Sequence, residues 1–202
     1  MMHNKTSILL VRHGETEWNR QNRVQGNLDS PLTGLGKDQA NQLRQMLERV
    51  HIEQAYVSPL KRARDTLDII IQDRPIEVGI VDDLREIKLG PWEGKTRAET
   101  ALSNPAEENN FWHQPESFAL PGAETFQQLQ TRMVAALESI FLRASGHTVL
   151  VVSHWIAIKV ALAYYKGIPL SGLSGISNPL NGSFIRLTRL GDDAYRVDEA
   201  HS

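Results

Sequence analysis

The apolar run over residues 8–11 ends abruptly at Arg12 and His13, and Gly14 follows at once. Such a run is typical of a buried strand, and the glycine lets the backbone turn sharply where the two polar side chains emerge. The strand therefore presents a cation and a potential nucleophile at its carboxyl end, the edge at which open α/β sheets bind their ligands. A polar strand end on the surface would have the same tripeptide, so the function depends on what other segments bring to this edge.

Composition restricts the class of protein. The chain has 202 residues, 41% apolar and 23% charged, which is the balance of a globular protein, and we expect one domain over residues 1–202. A net charge of −2 argues against a nucleic-acid binder, which normally has a basic excess. The absence of cysteine excludes disulfides, thiolate catalysis and thiolate metal sites.

The location of the chain is predicted only by default. Residues 1–5 contain no hydrophobic signal region, and no run approaches the length of a membrane span. We therefore expect a cytoplasmic protein that does not interact with membranes, although a chain without cysteine would also suit an exported one. A homodimer formed through a sheet edge or a helix face is compatible with the sequence.

Periodicity predicts alternating strands and helices. A polar loop is expected over 19–30, and Thr33 and Ser58 are plausible caps of the helices that follow them. The other predicted elements are helices over 35–50, 60–70, 124–140 and 156–166, strands over 55–57, 76–81 and 148–152, and a hairpin over 182–197. This alternation favours a three-layer α/β/α sandwich with a mostly parallel central sheet. Residues 87–122, which are less regular, are expected to form an excursion that covers the active edge.

Three predicted strand ends carry similar chemistry. The first presents Arg12 and His13, the second is followed by a helix start with Arg62, and the third ends at Ser153 and His154. Two arginines and two histidines at one sheet edge would form an anion-binding cluster on a chain that is not basic overall.

These strand ends lie within motifs that occur together in one known family. The motifs are Val11-Arg12-His13-Gly14-Glu15-Thr16, Val24-Gln25-Gly26, Ser58-Pro59-Leu60-Lys61-Arg62-Ala63, Leu84-Arg85-Glu86, Pro121-Gly122-Ala123-Glu124 and Val152-Ser153-His154. In order and spacing, over nearly the whole length, the chain resembles the histidine phosphatase superfamily, also called phosphoglycerate-mutase-like.

The resemblance implies that His13 is a nucleophile that becomes a transient phosphohistidine. The attacking imidazole must be neutral, and Arg12, Arg62 and a protonated His154 would lower its pKa because they are like charges. The same cations would stabilise the charge on the oxygens of the transferring phosphoryl group.

The resemblance also implies further roles in the site. Glu86 matches the proton donor of the family and is expected to be partly desolvated beside the phosphoryl group. Asn19 is implied as a further phosphate donor, and Gln25 and Gly26 as substrate-binding residues.

One position departs from the family pattern. Members usually have glycine after the second histidine, whereas this chain has Trp155. We expect the indole of Trp155 to bind substrate at the pocket mouth and to favour substrates with an apolar or ring-shaped part. Trp112 is predicted to be a packing residue of the excursion that could also wall the pocket.

The function implied is hydrolysis of a small phosphomonoester, with no cofactor and no metal. The middle region between Glu86 and Gly122 is short, as in the phosphatase members of the family. One alternative is a 2,3-bisphosphoglycerate-dependent phosphoglycerate mutase, and a less favoured one is a phosphate-binding module without catalysis. The histidines outside the motifs have no metal-ligand spacing, and clustered Asp and His ligands of a bimetal hydrolase are absent from the sequence.

Overall fold

The computed structural model describes residues 5–191 and 194–201, which form a six-stranded sheet flanked by helices. The strands are β1 (Thr6–Arg12), β2 (Gln54–Val57), β3 (Glu77–Ile80), β4 (Thr148–Ser153), β5 (Phe184–Arg189) and β6 (Tyr195–His201). Their order is β3-β2-β4-β1-β5-β6, with β1 to β4 parallel and β5 and β6 antiparallel to their neighbours. The predicted mostly parallel sheet is therefore confirmed.

The helices are close to those predicted. They are α1 (Glu17–Arg20), α2 (Gly34–Met46), α3 (Lys61–Ile71), α4 (Arg97–Ser103), α5 (Pro105–His113), α6 (Phe126–Arg143) and α7 (Trp155–Tyr165), with short 3₁₀ turns at Asp82–Leu84, Gly90–Trp92, Pro115–Ser117 and Leu170–Gly175. The prediction of a loop throughout residues 19–30 was wrong at its start, because Asn19 lies within α1. Among the described residues, no helix has the length and apolar character to span a membrane.

Both faces of the sheet are buried, which explains the continuous apolar runs of its central strands. In β1, Ile8 and Leu10 pack into the core that includes α6 and α7, whereas Leu9 and Val11 pack into the core that includes α2 and α3. Parallel strands covered on both faces lose the alternation of half-buried strands. The three-layer α/β/α arrangement follows from these two cores.

The starts of α2 and α3 are capped differently. Thr33 caps α2 as predicted, accepting a hydrogen bond from Gly36 N–H at 3.0 Å. The assignment of Ser58 as the cap of α3 was wrong, because α3 begins at Lys61 without a cap from its own flank. Instead, the carboxylate of Asp29 accepts from the backbone N–H groups of Lys61 (2.8 Å) and Arg62 (3.3 Å). A loop thus caps the helix that carries Arg62.

The 87–122 segment packs its aromatic side chains into the core that includes α6 and α7. Trp92 and Phe118 are almost fully buried, with ring centroids 5.4 Å apart, and Phe111 lies 5.8 Å from Trp92. Phe111 also contacts Phe126 at the start of α6 at 5.1 Å. Aromatic burial of this extent stabilises a segment built of short helices and turns.

The three strand ends that carry the predicted site residues lie side by side. Arg12 at the end of β1 is in register with Ser153 at the end of β4, and His13 N–H donates to the carbonyl of Ser153 at 3.1 Å. Ser58, just after β2, donates its backbone N–H to the carbonyl of Val152. Strand pairing therefore brings residues from three distant parts of the chain to one edge.

Candidate active site

A cavity of about 460 Å³ opens at this edge of the sheet. Eight of the nine predicted site residues line it: Arg12, His13, Asn19, Gln25, Gly26, Arg62, Glu86 and Trp155. The ninth, His154, is fully buried behind the cavity, with its ring centroid 5.2 Å from that of His13. The residues predicted from three strand ends are thus brought together.

His13 is oriented by the turn that follows it. Its Nδ1 lies 2.8 Å from the carbonyl oxygen of Gly14, and since a carbonyl only accepts, we assign the ring proton to Nδ1. The lone pair is then on Nε2, to which Arg62 Nε donates at 3.3 Å. Burial, followed by the charges of Arg62 and Arg12, holds the pKa of His13 well below its usual value. The imidazole is therefore neutral and unprotonated at Nε2, as a nucleophile requires.

The turn after His13 requires two glycines. A Cβ on Gly14 would lie 2.3 Å from the carbonyl oxygen of Gly36, and a Cβ on Gly36 would lie 2.1 Å from that of Glu15. Thr66 Oγ1 accepts from Gly14 N–H at 3.1 Å, and Asn181 Nδ2 donates to the carbonyl of His13 at 2.8 Å. Backbone contact with α2 thus fixes the nucleophile.

Arg62 is buried and almost completely bonded. Its Nη1 donates to the carbonyl of Leu28 (2.6 Å) and to Asp29 Oδ1 (2.8 Å), and its Nη2 donates to the carbonyl of Gly26 (2.8 Å). Burial lowers the pKa of Arg62, while the charge of Asp29 opposes this shift. The 26–29 loop therefore holds the guanidinium against His13.

Arg12 keeps unused hydrogen-bonding capacity. Its Nη1 donates to the carbonyl of Pro179 at 2.8 Å, whereas its buried Nε has no partner among the described residues. Burial lowers the pKa of Arg12 to about 10, Glu86 opposes that shift and Arg62 adds to it. A buried guanidinium with an unsatisfied donor is suited to an anionic ligand.

His154 has one bonded and one free ring nitrogen. Its Nε2 lies 2.7 Å from Ser58 Oγ, and its buried Nδ1 has no partner among the described residues. Burial, then the charge of Arg62, holds the pKa of His154 well below its usual value. This lowered pKa favours a neutral ring, unlike the protonated His154 expected from the sequence.

Glu86 is desolvated, as predicted, and lies at the N-terminus of α7. It is 8% exposed. Its Oε1 accepts from the N–H groups of Ile87 and Ala157, and its Oε2 accepts from Ile156 N–H at 3.1 Å. The helix terminus thus supplies the donors that a buried carboxylate needs. Oε2 carries fewer of these bonds than Oε1.

The motif that includes Glu124 explains how Glu86 is held. Glu124 binds Arg132 through both carboxylate oxygens, at 2.6 and 2.8 Å. Arg132 in turn donates to the backbone carbonyls of Asp83, Arg85 and Glu86 at 2.7–3.0 Å. A partly buried ion pair between Glu124, just before α6, and Arg132 on α6 thus fastens the segment that carries Glu86.

Asn19 is fixed by the cap of α1. Its Oδ1 accepts from the backbone N–H and the hydroxyl of Thr16, both at 3.1 Å. The amide nitrogen is then the atom of Asn19 available to an anion.

Gly26 has a φ of 51°, and a Cβ at this position would lie 2.2 Å from Glu93 Oε1, which explains why the residue is glycine.

The outer part of the cavity includes residues that were not predicted as site residues. Trp155 faces Trp112, which thus lines the cavity as well as packing in the excursion. The other unpredicted lining residues that bear on recognition are Asn22, Arg23, Arg97, Asn178 and Asn181. They lie in loops or on a short helix, where no periodicity marks them, and only their polarity could have indicated them.

The described residues contain no group of three or more His, Cys, Asp or Glu side chains arranged to hold a metal ion. The donors around the cavity are mainly arginine, amide and imidazole groups, which suit an anion.

Comparison with known proteins agrees with this arrangement. A family model described as Histidine phosphatase superfamily (branch 1) matches residues 8–199. Phosphoserine phosphatase 1 of Hydrogenobacter thermophilus is 35% identical over 164 residues, which cover 81% of this chain and 78% of that protein. A probable phosphoglycerate mutase, GpmB, of Salmonella choleraesuis is 34% identical over 167 residues, covering 80% and 75%.

Among solved structures, Bacillus stearothermophilus YhfR superimposes with a TM-score of 0.92 at 36% identity, covering 95% of both chains. The likeness therefore extends over sequence, fold and nearly the whole described chain.

Proposed function

This chain belongs to the histidine phosphatase superfamily, and from that premise we propose that it hydrolyses a small phosphomonoester through a phosphohistidine formed on His13. The observation that carries the proposal is the state of His13, a buried, neutral imidazole whose Nε2 lone pair faces an arginine-lined cavity. A phosphate-binding module without catalysis would need the arginines but not this tautomer.

The first step is transfer of the phosphoryl group to the enzyme. The Nε2 lone pair of His13 attacks phosphorus and forms a P–N bond as the bond from phosphorus to the ester oxygen breaks. Arg12, Arg62 and Asn19 donate to the phosphoryl oxygens, where charge stabilisation has its largest effect. His154 donates its Nδ1–H to the same group while remaining uncharged.

Glu86 acts as an acid in the first step and as a base in the second. In the first step it gives a proton to the leaving oxygen, and we assign this role to Oε2 because it carries fewer backbone hydrogen bonds than Oε1. In the second step Glu86 takes a proton from water as the water oxygen attacks phosphorus. The P–N bond then breaks, and inorganic phosphate and free His13 result. The proposed reaction uses no metal and no cofactor.

A mutase would use the same inner site but needs a second site for an anion. The outer cations are already paired: Arg97 Nε lies 3.1 Å from Glu108 Oε1, and Arg23 Nη1 donates to the carbonyl of Gly94 and lies 3.9 Å from Glu99 Oε2. This pairing favours hydrolysis over a bisphosphate-dependent exchange. The 87–122 segment, which carries Arg97 and Glu108, we assign as the cover of the active edge.

The proposal is tested with a panel of phosphomonoesters, assayed with and without 2,3-bisphosphoglycerate. We expect phosphate release that does not need the bisphosphate and that His13→Ala abolishes, with His51→Ala, 88% exposed, as the matched histidine control. Acid quench should trap an acid-labile phosphoenzyme in the wild type and none in His13→Ala. Strict bisphosphate dependence with isomerised product would establish the mutase instead, and absence of turnover with every ester would leave a binding module.

The role of Glu86 has a separate test. Glu86→Gln should lower kcat/KM strongly for alkyl phosphates but only slightly for p-nitrophenyl phosphate, because kcat/KM reports transfer of the phosphoryl group to His13 and p-nitrophenolate leaves without a proton. The kcat of both esters should fall, since the second step loses its base. Equal losses of kcat/KM with both esters would show that Glu86 is not the acid.

A further inference from the structure

The outer wall of the cavity is an indole pair. The rings of Trp112 on α5 and Trp155 on α7 have centroids 5.7 Å apart at an interplanar angle of 36°. Both are partly buried against the core, and Phe111 lies behind Trp112 at 5.0 Å. Two elements far apart in sequence thus form one aromatic surface beside the phosphoryl site.

Neighbouring polar and charged side chains hold both indoles in place. Trp155 Nε1 donates to Asn178 Oδ1 at 3.1 Å, and Lys159 Nζ donates to the same oxygen at 2.8 Å. The guanidinium of Arg97 lies over the Trp112 ring, 4.1 Å from its centroid, and that of Arg12 lies 5.6 Å from the Trp155 ring. A rigid aromatic surface can take a ring with little further loss of side-chain entropy.

The cations around this wall are already hydrogen-bonded, whereas the buried Nε of Arg12 has no partner among the described residues. Arg97 is paired with Glu108, and Arg23 is bonded to the carbonyl of Gly94 and to Gln21. Lys159 is bonded to Asn178. A leaving group with its own carboxylate would have to compete with one of these partners, whereas an uncharged ring would leave the hydrogen bonds of these cations in place.

We propose that the preferred substrates are phosphomonoesters whose leaving group carries an uncharged planar ring, which packs against Trp112 and Trp155. The proposal rests on the phosphatase activity proposed above and assigns the leaving-group subsite of the same cavity. Stacking on one indole is expected to change affinity about three- to tenfold beyond the effect of apolar burial alone.

The test compares three esters of primary alcohols: benzyl phosphate, cyclohexylmethyl phosphate and O-phosphoserine. Because all three leaving groups are primary alcohols, they differ little in how readily they leave from phosphorus. Wild type should have its highest kcat/KM with benzyl phosphate. Trp112→Leu and Trp155→Leu should each raise KM for benzyl phosphate about three- to tenfold and change that for O-phosphoserine little. Tyr164→Leu, at an exposed position on the same helix as Trp155, is the matched control and should behave as wild type.

A binding measurement separates this proposal from the proposed catalysis. In His13→Ala, which lacks the nucleophile, calorimetry should give a lower Kd for benzyl phosphate than for O-phosphoserine, and adding Trp112→Leu should remove the difference. If His13→Ala binds benzyl phosphate more tightly but the wild type turns over neither ester, the proposed catalysis is refuted and the proposed subsite is retained. Turnover in which O-phosphoserine equals or exceeds benzyl phosphate would refute the subsite. A cyclohexylmethyl ester as good as the benzyl ester would also refute the planar-ring assignment.

Discussion

Ser58 Oγ lies 2.7 Å from Nε2 of His154, and both side chains are fully buried. The other contact of this hydroxyl is the N–H of Leu60 at 3.3 Å, in which Ser58 accepts. Within the described contacts, the hydroxyl proton has His154 Nε2 as its acceptor, so we assign the imidazole proton to Nδ1. Ser58 therefore leaves a neutral His154 with its proton on Nδ1, the donor that the proposed mechanism uses.

Ser58→Ala should lower kcat about tenfold or more, because the ring proton of His154 can then move to Nε2 and leave a lone pair facing an anion. Ser58→Thr, which keeps the hydroxyl, should retain most of the activity. Nitrogen-15 chemical shifts of His154 should show a protonated Nδ1 in wild type and a mixture in Ser58→Ala. The assignment fails if Ser58→Ala keeps both its kcat and its tautomer at an unchanged melting temperature.

Gly14→Ala should destabilise the protein by about 2 kcal/mol or more, because the added methyl group meets the backbone of Gly36. It should also lower activity, since the Gly14 carbonyl orients His13. Gly34→Ala is the control, because Gly34 lies on α2 near Gly36. Nothing lies within 4 Å of a Cβ at Gly34, so this substitution should be neutral or slightly stabilising. Urea unfolding measures both effects, and equal midpoints for the two variants would contradict the close approach.

Arg132→Gln should lower kcat/KM for alkyl phosphates about tenfold, because it releases the backbone of Glu86 and leaves Glu124 unpaired. If Arg132 acts by positioning the acid, kcat/KM for p-nitrophenyl phosphate should fall less than that for alkyl phosphates. Arg143→Gln, exposed in the last turn of α6, should leave both rates unchanged. The same loss with both esters would indicate general unfolding rather than mispositioning of Glu86.

Stability should fall as the pH is lowered from about 7 to 5. The folded-state pKa values of His13 and His154 are depressed, so the unfolded chain binds more protons than the folded chain below the ordinary histidine pKa. Each ring contributes up to about 1.4 kcal/mol per pH unit in that window and nothing above it. His13→Asn should reduce the slope of unfolding free energy against pH, as measured by urea unfolding. An unchanged slope would mean that His13 is not buried in its neutral form.

The framework of the fold could be predicted because its signals are local. Each signal is contained in a few neighbouring residues, as in the apolar runs of β1 and β4 and the cap at Thr33. Because the ends of these strands lie on one sheet edge, Arg12, His13 and His154 could be predicted to lie close together. The motif resemblance added Glu86, whose position in the fold no local pattern indicates.

The parts that escaped prediction depend on partners far away in the sequence. Asp29 caps a helix that starts at Lys61, and Ser58 looked like a helix cap but binds His154 instead. The pairing of Arg97 with Glu108 joins α4 to α5, and that of Trp112 with Trp155 joins α5 to α7. Side-chain chemistry alone does not determine such long-range contacts.

The origin of the aromatic wall has a consequence for how this protein can diverge. The groups proposed to bind the phosphoryl group lie at strand ends and in the short helix α1 and the first turn of α3, whereas the wall consists of one side chain on α5 and one directly after His154. With the subsite proposed here, substitutions at Trp112 and Trp155 would change the specificity for the alcohol and leave the phosphorus chemistry in place. The buried cluster of Trp92, Phe111 and Phe118 keeps α5 in place during such exchanges. A duplicated copy of this chain could acquire a new substrate through two positions without passing through an inactive intermediate.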